Sequence, residues 1–304
     1  MGAKPRSAPD LHSAGDIMDP RLRSPRRLVT LPARGLAGVL LTLALTGAVP
    51  AADSTLPVPR DTADIASSIQ VPGPGQREVL PAPARAFGPR ESLKFSVQYG
   101  FIPAGSAWLE IPETRNYQGH EVYLLLARAE SNAFFSRIYK VRERIESYWD
   151  RRGLYSRRYF EDRREGKSRQ KSDIVFDPVR NEAVYSDGRT FPVPARVQDA
   201  LSAFYYFRTQ ALPLGGSIVF HYHASRKSQP LQVKVLGRER ITTPAGTFDC
   251  VGVEPVLKAG GIFKSSGRLV IWVTDDERRM PVLMKSKVAI GSISVVLVEA
   301  RAGG

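Results

Sequence analysis

Beginning at Glu91, apolar and polar residues alternate along the chain, with Leu93, Phe95, Val97 and Tyr99 at one parity and Lys94, Ser96 and Gln98 at the other. Side chains that change sides at every residue belong to an extended strand with one buried face; a helix would repeat its apolar positions every three to four residues. Phe101-Ile102-Pro103-Ala104-Gly105 then turns the chain into a second strand carrying Ala107, Leu109 and Ile111. The same reading predicts strands over 121–129, 138–149, 155–161, 168–176 and 182–185, and again over 217–223, 231–242, 247–255, 267–274, 282–289 and 292–299. Asp177-Pro178-Val179-Arg180-Asn181, Thr243-Pro244-Ala245-Gly246 and Gly260-Gly261 have the composition of turns. One segment breaks the two-residue period: between 198 and 209, Leu201, Tyr205 and Arg208 share a face at helical spacing, with Ala200, Phe204 and Phe207 beside it. Gln198 or Asp199 supplies a capping acceptor, and Pro213 and Gly215-Gly216 close the segment off. Many strands with a single helix predict a mainly β domain over 91–304. It is expected to be a single curled antiparallel sheet forming a barrel or half barrel, with one amphipathic helix at about 198–209.

Before Glu91 the alternation is absent. Residues 52–90 are rich in proline, alanine and polar residues, as in Val71-Pro72-Gly73-Pro74-Gly75, and read as a Pro-rich disordered tether. Residues 1–51 read as a signal peptide: Arg21, Arg23, Arg26, Arg27 and Arg34, an apolar stretch from Leu36 to Leu45, then Val49-Pro50-Ala51 with a cut after Ala51 or Ala52. Met18 is an alternative start. The apolar stretch is too short for an ordinary spanning helix. Pro25 breaks the twin-arginine pattern at Arg26-Arg27, and no cysteine follows the stretch, so the expected destination is the periplasm or cell envelope and not lipid attachment as a lipoprotein. Export changes the meaning of the charge. The chain carries +14, of which about +10 belongs to the domain, and outside the cytoplasm such a charge meets lipid head groups and cell-wall carboxylates, not nucleic acid. Cys250 is the sole cysteine, so no internal disulfide can form, and its place in an alternating strand reads as a small buried side chain.

Several short stretches occur together: Gly100-Phe101-Ile102-Pro103-Ala104-Gly105, Val175-Phe176-Asp177, Gln198-Asp199-Ala200-Leu201-Ser202-Ala203-Phe204-Tyr205-Tyr206-Phe207-Arg208, Thr243-Pro244-Ala245-Gly246-Thr247-Phe248, Trp272-Val273-Thr274-Asp275-Asp276, Met280-Pro281-Val282 and Ile290-Gly291-Ser292. In these the chain resembles the bacterial domain-of-unknown-function family numbered 3108, across roughly residues 91–300. The resemblance implies an exported, mainly β protein and carries over no catalytic residue.

Candidate chemistry is sparse. His221 and His223 would project from one strand face, as metal ligands do, but three or four converging ligands are needed, and a surface pair is the simpler reading. Asp275-Asp276-Glu277 lacks the ligand spacing of a calcium loop and reads as a charged turn. Asp199 and Ser202 lack a nucleophile elbow. No catalytic residue and no cofactor is assigned. The densest feature is the arginine run from Arg137 to Arg169 with aromatic residues between; alternation puts Lys140, Arg142, Arg144 and Glu146 on one side and Tyr139, Val141, Ile145 and Trp149 on the other. Cross-strand ion pairs explain such a run, and an anion-gripping face is the functional alternative. A curled sheet also has a concave side, where Trp108, Trp149, Phe204, Tyr205 and Trp272 could hold an apolar ligand. The candidate ligand-binding residues are therefore Arg142, Arg144, Arg158, Trp149, Tyr205, Arg208 and Trp272. The expected function is a non-catalytic envelope protein binding an anionic or amphiphilic component such as a lipid or glycolipid. The alternatives, in order, are a structural or assembly factor docking on another envelope protein, a hydrolase, and an outer-membrane barrel, the last disfavoured by charge on its would-be lipid faces.

Overall fold

The computed structural model describes residues 79, 80, 82, 85–257, 268–287 and 291–303. The predicted signal peptide, the tether as far as residue 78 and the Gly260-Gly261 turn lie outside these residues.

The alternation does produce strands. β1 (Val79–Leu80) pairs with β11 (Leu212–Pro213) in a small separate ladder. The main sheet begins with β2 (Glu91–Tyr99), β3 (Ile102–Ile111), β4 (Thr114–Tyr117) and β5 (His120–Ser131), and continues through β6 (Val141–Asp150), β7 (Ser156–Glu165), β8 (Ser168–Asp177), β9 (Glu182–Tyr185) and β10 (Thr190–Pro192). After the helical segment come β12 (Ser217–Ala224), β13 (Lys227–Thr243), β14 (Gly246–Leu257), β15 (Leu269–Thr274), β16 (Pro281–Lys287) and β17 (Ser292–Arg301). Their order is β10-β9-β8-β7-β6-β5-β3-β2-β17-β16-β15-β14-β13-β12, with β4 on β5, and every ladder is antiparallel. The last strand, β17, pairs with the first of this sheet, β2, so two meanders are joined back to back. The domain is mainly β, one open, curled antiparallel sheet, with two short helices among the described residues.

The two edges, β10 and β12, do not pair directly; the connection before the helix fills the seam. Gln198 donates its N–H to the carbonyl of His221 at 3.0 Å and accepts from the N–H of His223 at 2.8 Å, while the carbonyl of Val197 accepts from Ser156 N–H at 3.0 Å. The Gln198 side chain extends the clamp: its oxygen accepts from Trp149 Nε1 at 2.9 Å and its amide donates to the carbonyl of Leu154 at 2.7 Å. Trp149 and Gln198 are both buried, and a buried indole N–H or amide left unpaired would cost roughly 1–3 kcal/mol, so each supplies what the other lacks.

The helix is shorter than predicted. α2 spans Ala200–Tyr206 and ends in a 3-10 turn, Phe207–Thr209. Asp199 is the N-cap: one carboxylate oxygen accepts from the N–H groups of Leu201 and Ser202 at 2.8 Å each, and the other from Ser147 Oγ at 2.6 Å. Ser202 Oγ and Ser156 Oγ both accept from Asp199 N–H, completing a capping box tied to β6 and β7. A second helix, α1 (Ala133–Ile138), occupies a stretch partly assigned to a strand starting at Ile138. Asn132 caps it through Phe135 N–H at 2.9 Å, a local hydrogen bond that two-residue periodicity cannot register.

The last part of the expected tether belongs to the domain. Ala86 and Phe87 are buried, and the Phe87 ring lies 5.2 Å from Tyr205 and 5.9 Å from both Tyr123 and Trp149. An isolated Phe among prolines carries no period, yet burying it contributes about 1.5–3 kcal/mol, enough to draw the chain in. Above this cluster Arg208, fully buried, forms two 2.9 Å bonds to the carboxylate of Glu91 and lies over the rings of Phe87 and Tyr205.

Candidate functional site

The inner face of the sheet, the side that carries Phe95, is not filled everywhere. Across β2, β3, β5 and β6 the register sets Phe95 against Ala107, Ala107 against Ala129, and Ala129 against Glu143, with Ala127 opposite Ile145 one pair along. Small side chains at neighbouring inward positions leave room that leucines would occupy. Gly105 continues this row; a Cβ there would lie 2.1 Å from the carbonyl oxygen of Glu130, so the two strands approach too closely for any other residue. The result is a crevice of about 550 Å³ including its open mouth, bounded by Phe95, Val97, Ala107, Ala127, Ile145, Met284 and Val295, with Glu143 at its border. A smaller hollow of about 250 Å³ lies beneath α1, lined by Ala104, Gly105, Phe135, Tyr139 and Val141, and the two share Val97.

Behind Glu143 is an acidic cluster on the same face. Arg163 stands 3.4 Å from Glu143, 3.1 Å from Glu161 and 3.0 Å from Glu165, yet Glu143 Oε1, Glu161 Oε1 and Arg163 Nε lack a well-formed hydrogen bond. Three carboxylates around one guanidinium leave an excess of negative charge in a buried place. Burial and the adjacent Glu165 carboxyl push Glu143 well above the usual carboxylate range, against the pull of Arg163. Burial raises Glu161 as well. The border of the crevice therefore carries a carboxyl whose burial favours its protonated form.

Of the predicted site residues, Trp149, Tyr205 and Arg208 are brought together, but inside the core, and Arg142, Arg144, Arg158 and Trp272 lie apart from them. Arg142 and Arg144 point outward, and Arg144 pairs with Glu146 at 2.7 Å. Arg158, also at outward parity, is held by both oxygens of Asp173 at 2.9 and 2.7 Å and covers the Tyr148 ring. Trp149, Tyr205 and Arg208 are sealed in the core around Phe87. Trp272 pairs with Leu283 and Gly252 at the parity opposite to Phe95, and its Nε1 donates to Glu239 at 2.7 Å. Trp108 is likewise on the outer side, under Arg128. The expected convergence of tryptophans on the concave face fails because Trp108 and Trp272 fall at the wrong register.

The remaining chemical candidates have structural partners. Ser202 and Asp199 are buried in the capping box. Tyr185 Oη accepts from Arg226 N–H and shares a hydrogen bond with His223 Nε2 at 2.9 Å, while Nδ1 meets Ser228 Oγ at 2.8 Å; both ring nitrogens are engaged, and His221 is exposed. Burial lowers the His223 pKa to about 4, so the ring is neutral. Asp276 accepts from Thr274, Arg278 and Arg279, and Asp275 pairs with Arg238, as in a charged turn. Cys250 is buried and its thiol is pushed up to about 12, which leaves it inert as a nucleophile. Among the described residues no three His, Cys, Asp or Glu side chains are placed to hold a metal ion, and no helix is long and apolar enough to cross a membrane. What sequence reading missed was Glu143 and the small residues. Their signal was present in Gly105-Ser106-Ala107 and Ala127-Arg128-Ala129, where inward positions carry glycine or alanine instead of a branched side chain.

An open curled sheet around an apolar crevice, without a converged catalytic group among the described residues, defines a β-barrel-like domain. The chain belongs to the family described as protein of unknown function DUF3108, whose model matches residues 94–298. Among solved structures it is similar to a β-barrel-like protein of the domain of unknown function DUF1849 from Brucella abortus, with a TM-score of 0.52 and 9% identity over 72% of this chain and 100% of that one. A candidate lipoprotein from Parabacteroides distasonis matches with a TM-score of 0.33 and 13% identity over 71% and 97% of the two chains. A candidate exported protein with a YmcC-like fold from Bacteroides fragilis gives 0.26 and 12% over 71% and 98%. A comparison with curated proteins gives no match.

Proposed function

We propose that this protein acts in the periplasm or cell envelope as a non-catalytic binder of an amphiphile, whose apolar chain lies in the crevice between β2, β3, β5, β6, β16 and β17. The observation that carries this reading is the row of glycine and alanine at adjoining inward positions, which leaves an open apolar crevice lined by Phe95, Val97, Ile145, Met284 and Val295. Each methylene buried there contributes about 0.8 kcal/mol, so about three of them gain roughly 2 kcal/mol before their ordering cost. Glu143 selects the polar end. Burial favours the protonated form of its carboxyl, which suits an ester, hydroxyl or amide oxygen, and the acidic cluster behind it disfavours a ligand carboxylate. The preferred ligand on this reading is a neutral or ester-linked lipid portion. The outward arginines, of which Arg144 and Arg158 are paired with Glu146 and Asp173, take no part in it.

The test uses a fluorescent polyunsaturated fatty acyl ester as probe and the substitutions Ala107→Leu and Ala129→Leu. Filling the crevice is expected to lower probe affinity at least about tenfold in variants whose circular dichroism shows them folded. Unchanged binding in folded leucine variants, or no binding by the unaltered protein, overturns the reading.

A further inference from the structure

Most large apolar side chains of this fold face inward, but one end of the sheet exposes several together. Phe101 is 97% exposed at the β2–β3 turn, with Ile102 at 56% beside it, and α1 on the β5–β6 connection presents Phe134 and Ile138, each 63% exposed. Exposing large apolar residues singly is ordinary, whereas clustering them on adjoining connections marks a contact surface. These connections are fastened to each other: Asn132 donates its side-chain amide to the carbonyl of Pro103 at 2.6 Å and its N–H to that of Ala104 at 2.9 Å. The apolar tips are thus presented as one edge.

The charge beside them decides the occupant. Arg137 and Lys140 flank α1, and Lys167 lies on the β7–β8 turn, which is joined to Lys140 by a 2.8 Å bond from Gly166 N–H to the Lys140 carbonyl. All three cations are exposed and without an ion pair among the described residues, unlike Arg144, Arg158 and Arg164 on β6 and β7; Glu130 is the exposed carboxylate nearby. Aromatic and aliphatic tips surrounded by unpaired cations suit an interface that is apolar inside and anionic at its surface. We infer that this edge of the domain docks on an anionic phospholipid bilayer, with Phe101, Phe134 and Ile138 entering the head-group boundary and Arg137, Lys140 and Lys167 meeting phosphates. The inference stands apart from occupancy of the crevice.

The experiment is co-sedimentation of the full chain after signal removal with vesicles of phosphatidylglycerol and phosphatidylethanolamine, or of phosphatidylcholine alone. Four variants are compared: Phe101→Ser/Phe134→Ser, Lys140→Glu/Lys167→Glu, Ala129→Leu, and Val179→Ser, the last at an 89% exposed position on the β8–β9 turn at the other end of the strands. The unaltered protein is expected to bind the anionic vesicles and not the neutral ones. The double serine variant should lose at least about tenfold in partitioning, as two interfacial anchors are removed. The glutamate pair should weaken binding and flatten its salt dependence. Ala129→Leu and Val179→Ser should bind as the parent does, which separates docking from crevice filling. No binding to anionic vesicles, binding equal on both vesicle types, or full binding by the serine variant overturns the inference.

Discussion

Replacing Arg208 with methionine probes the interior most sharply. Methionine keeps most of the aliphatic length, so the change removes a charge and four hydrogen bonds with little loss of volume. Two of those bonds, at 2.9 Å, satisfy both carboxylate oxygens of Glu91; the others reach the carbonyls of Ala86 at 3.3 Å and Arg278 at 3.1 Å. Glu91 is 5% exposed, so its charge cannot turn to water. Removing one partner of a buried, hydrogen-bonded pair costs about 3–5 kcal/mol, a large share of the roughly 5–15 kcal/mol that holds a domain folded. For a domain of this size that is a fall in melting temperature on the order of 10 °C. The assay is urea unfolding followed by circular dichroism. A second variant, Arg208→Met/Glu91→Leu, removes the stranded charge and should regain a substantial part of the loss, because the penalty arises from the unpaired carboxylate more than from the pair. Should Arg208→Met lose less than about 1 kcal/mol, or the double variant lose as much as the two single changes added, the placement of this pair in the core is wrong.

Three further outcomes follow from the same geometry. His223 is held neutral, with its folded pKa near 4 against 6.5 for the free ring, so the unfolded chain takes up the proton first and stability falls as pH drops from about 6.5 towards 4, by up to about 3 kcal/mol. His223→Gln should flatten that fall in melting curves taken across the window. Glu143 has the opposite sign: with its folded pKa raised, the native state holds the extra proton above pH 4.5, so stability declines as pH rises past that value, and Glu143→Gln should narrow that decline. Gly105→Ala forces a Cβ onto the carbonyl of Glu130 and should destabilise by about 1–3 kcal/mol or more in denaturant titration, whereas Ala107→Leu two residues away should not.

The sheet was legible because a half-buried strand writes its register into every second residue: parity alone groups Leu93, Phe95 and Val97 on one face and separates Arg142 and Arg144 from Val141 and Ile145. The order of the strands was not, since the pairing of β17 with β2 joins residues about two hundred positions apart. Phe87 was invisible for a related reason: one aromatic residue among prolines has no pattern, and only the pocket formed by Tyr123, Trp149 and Tyr205 gives it a place. The arginine run drew attention as charge, but its members are largely absorbed by carboxylates on the same strands. The crevice, by contrast, is made by what is missing. Alanine at an inward position looks like any other apolar residue until three strands set several of them side by side. Gln198, Asp199 and Ser202 form a conspicuous motif whose work is to close the seam and cap α2, which their buried hydrogen bonds explain without chemistry.

Native mass spectrometry of the protein purified from an envelope extract under non-denaturing conditions tests amphiphile binding most directly. A non-covalent adduct with the mass of a lipid, present on the parent protein and absent from Ala107→Leu/Ala129→Leu, is the result expected. A parent protein free of adduct, or one whose adduct survives the filled crevice, contradicts it.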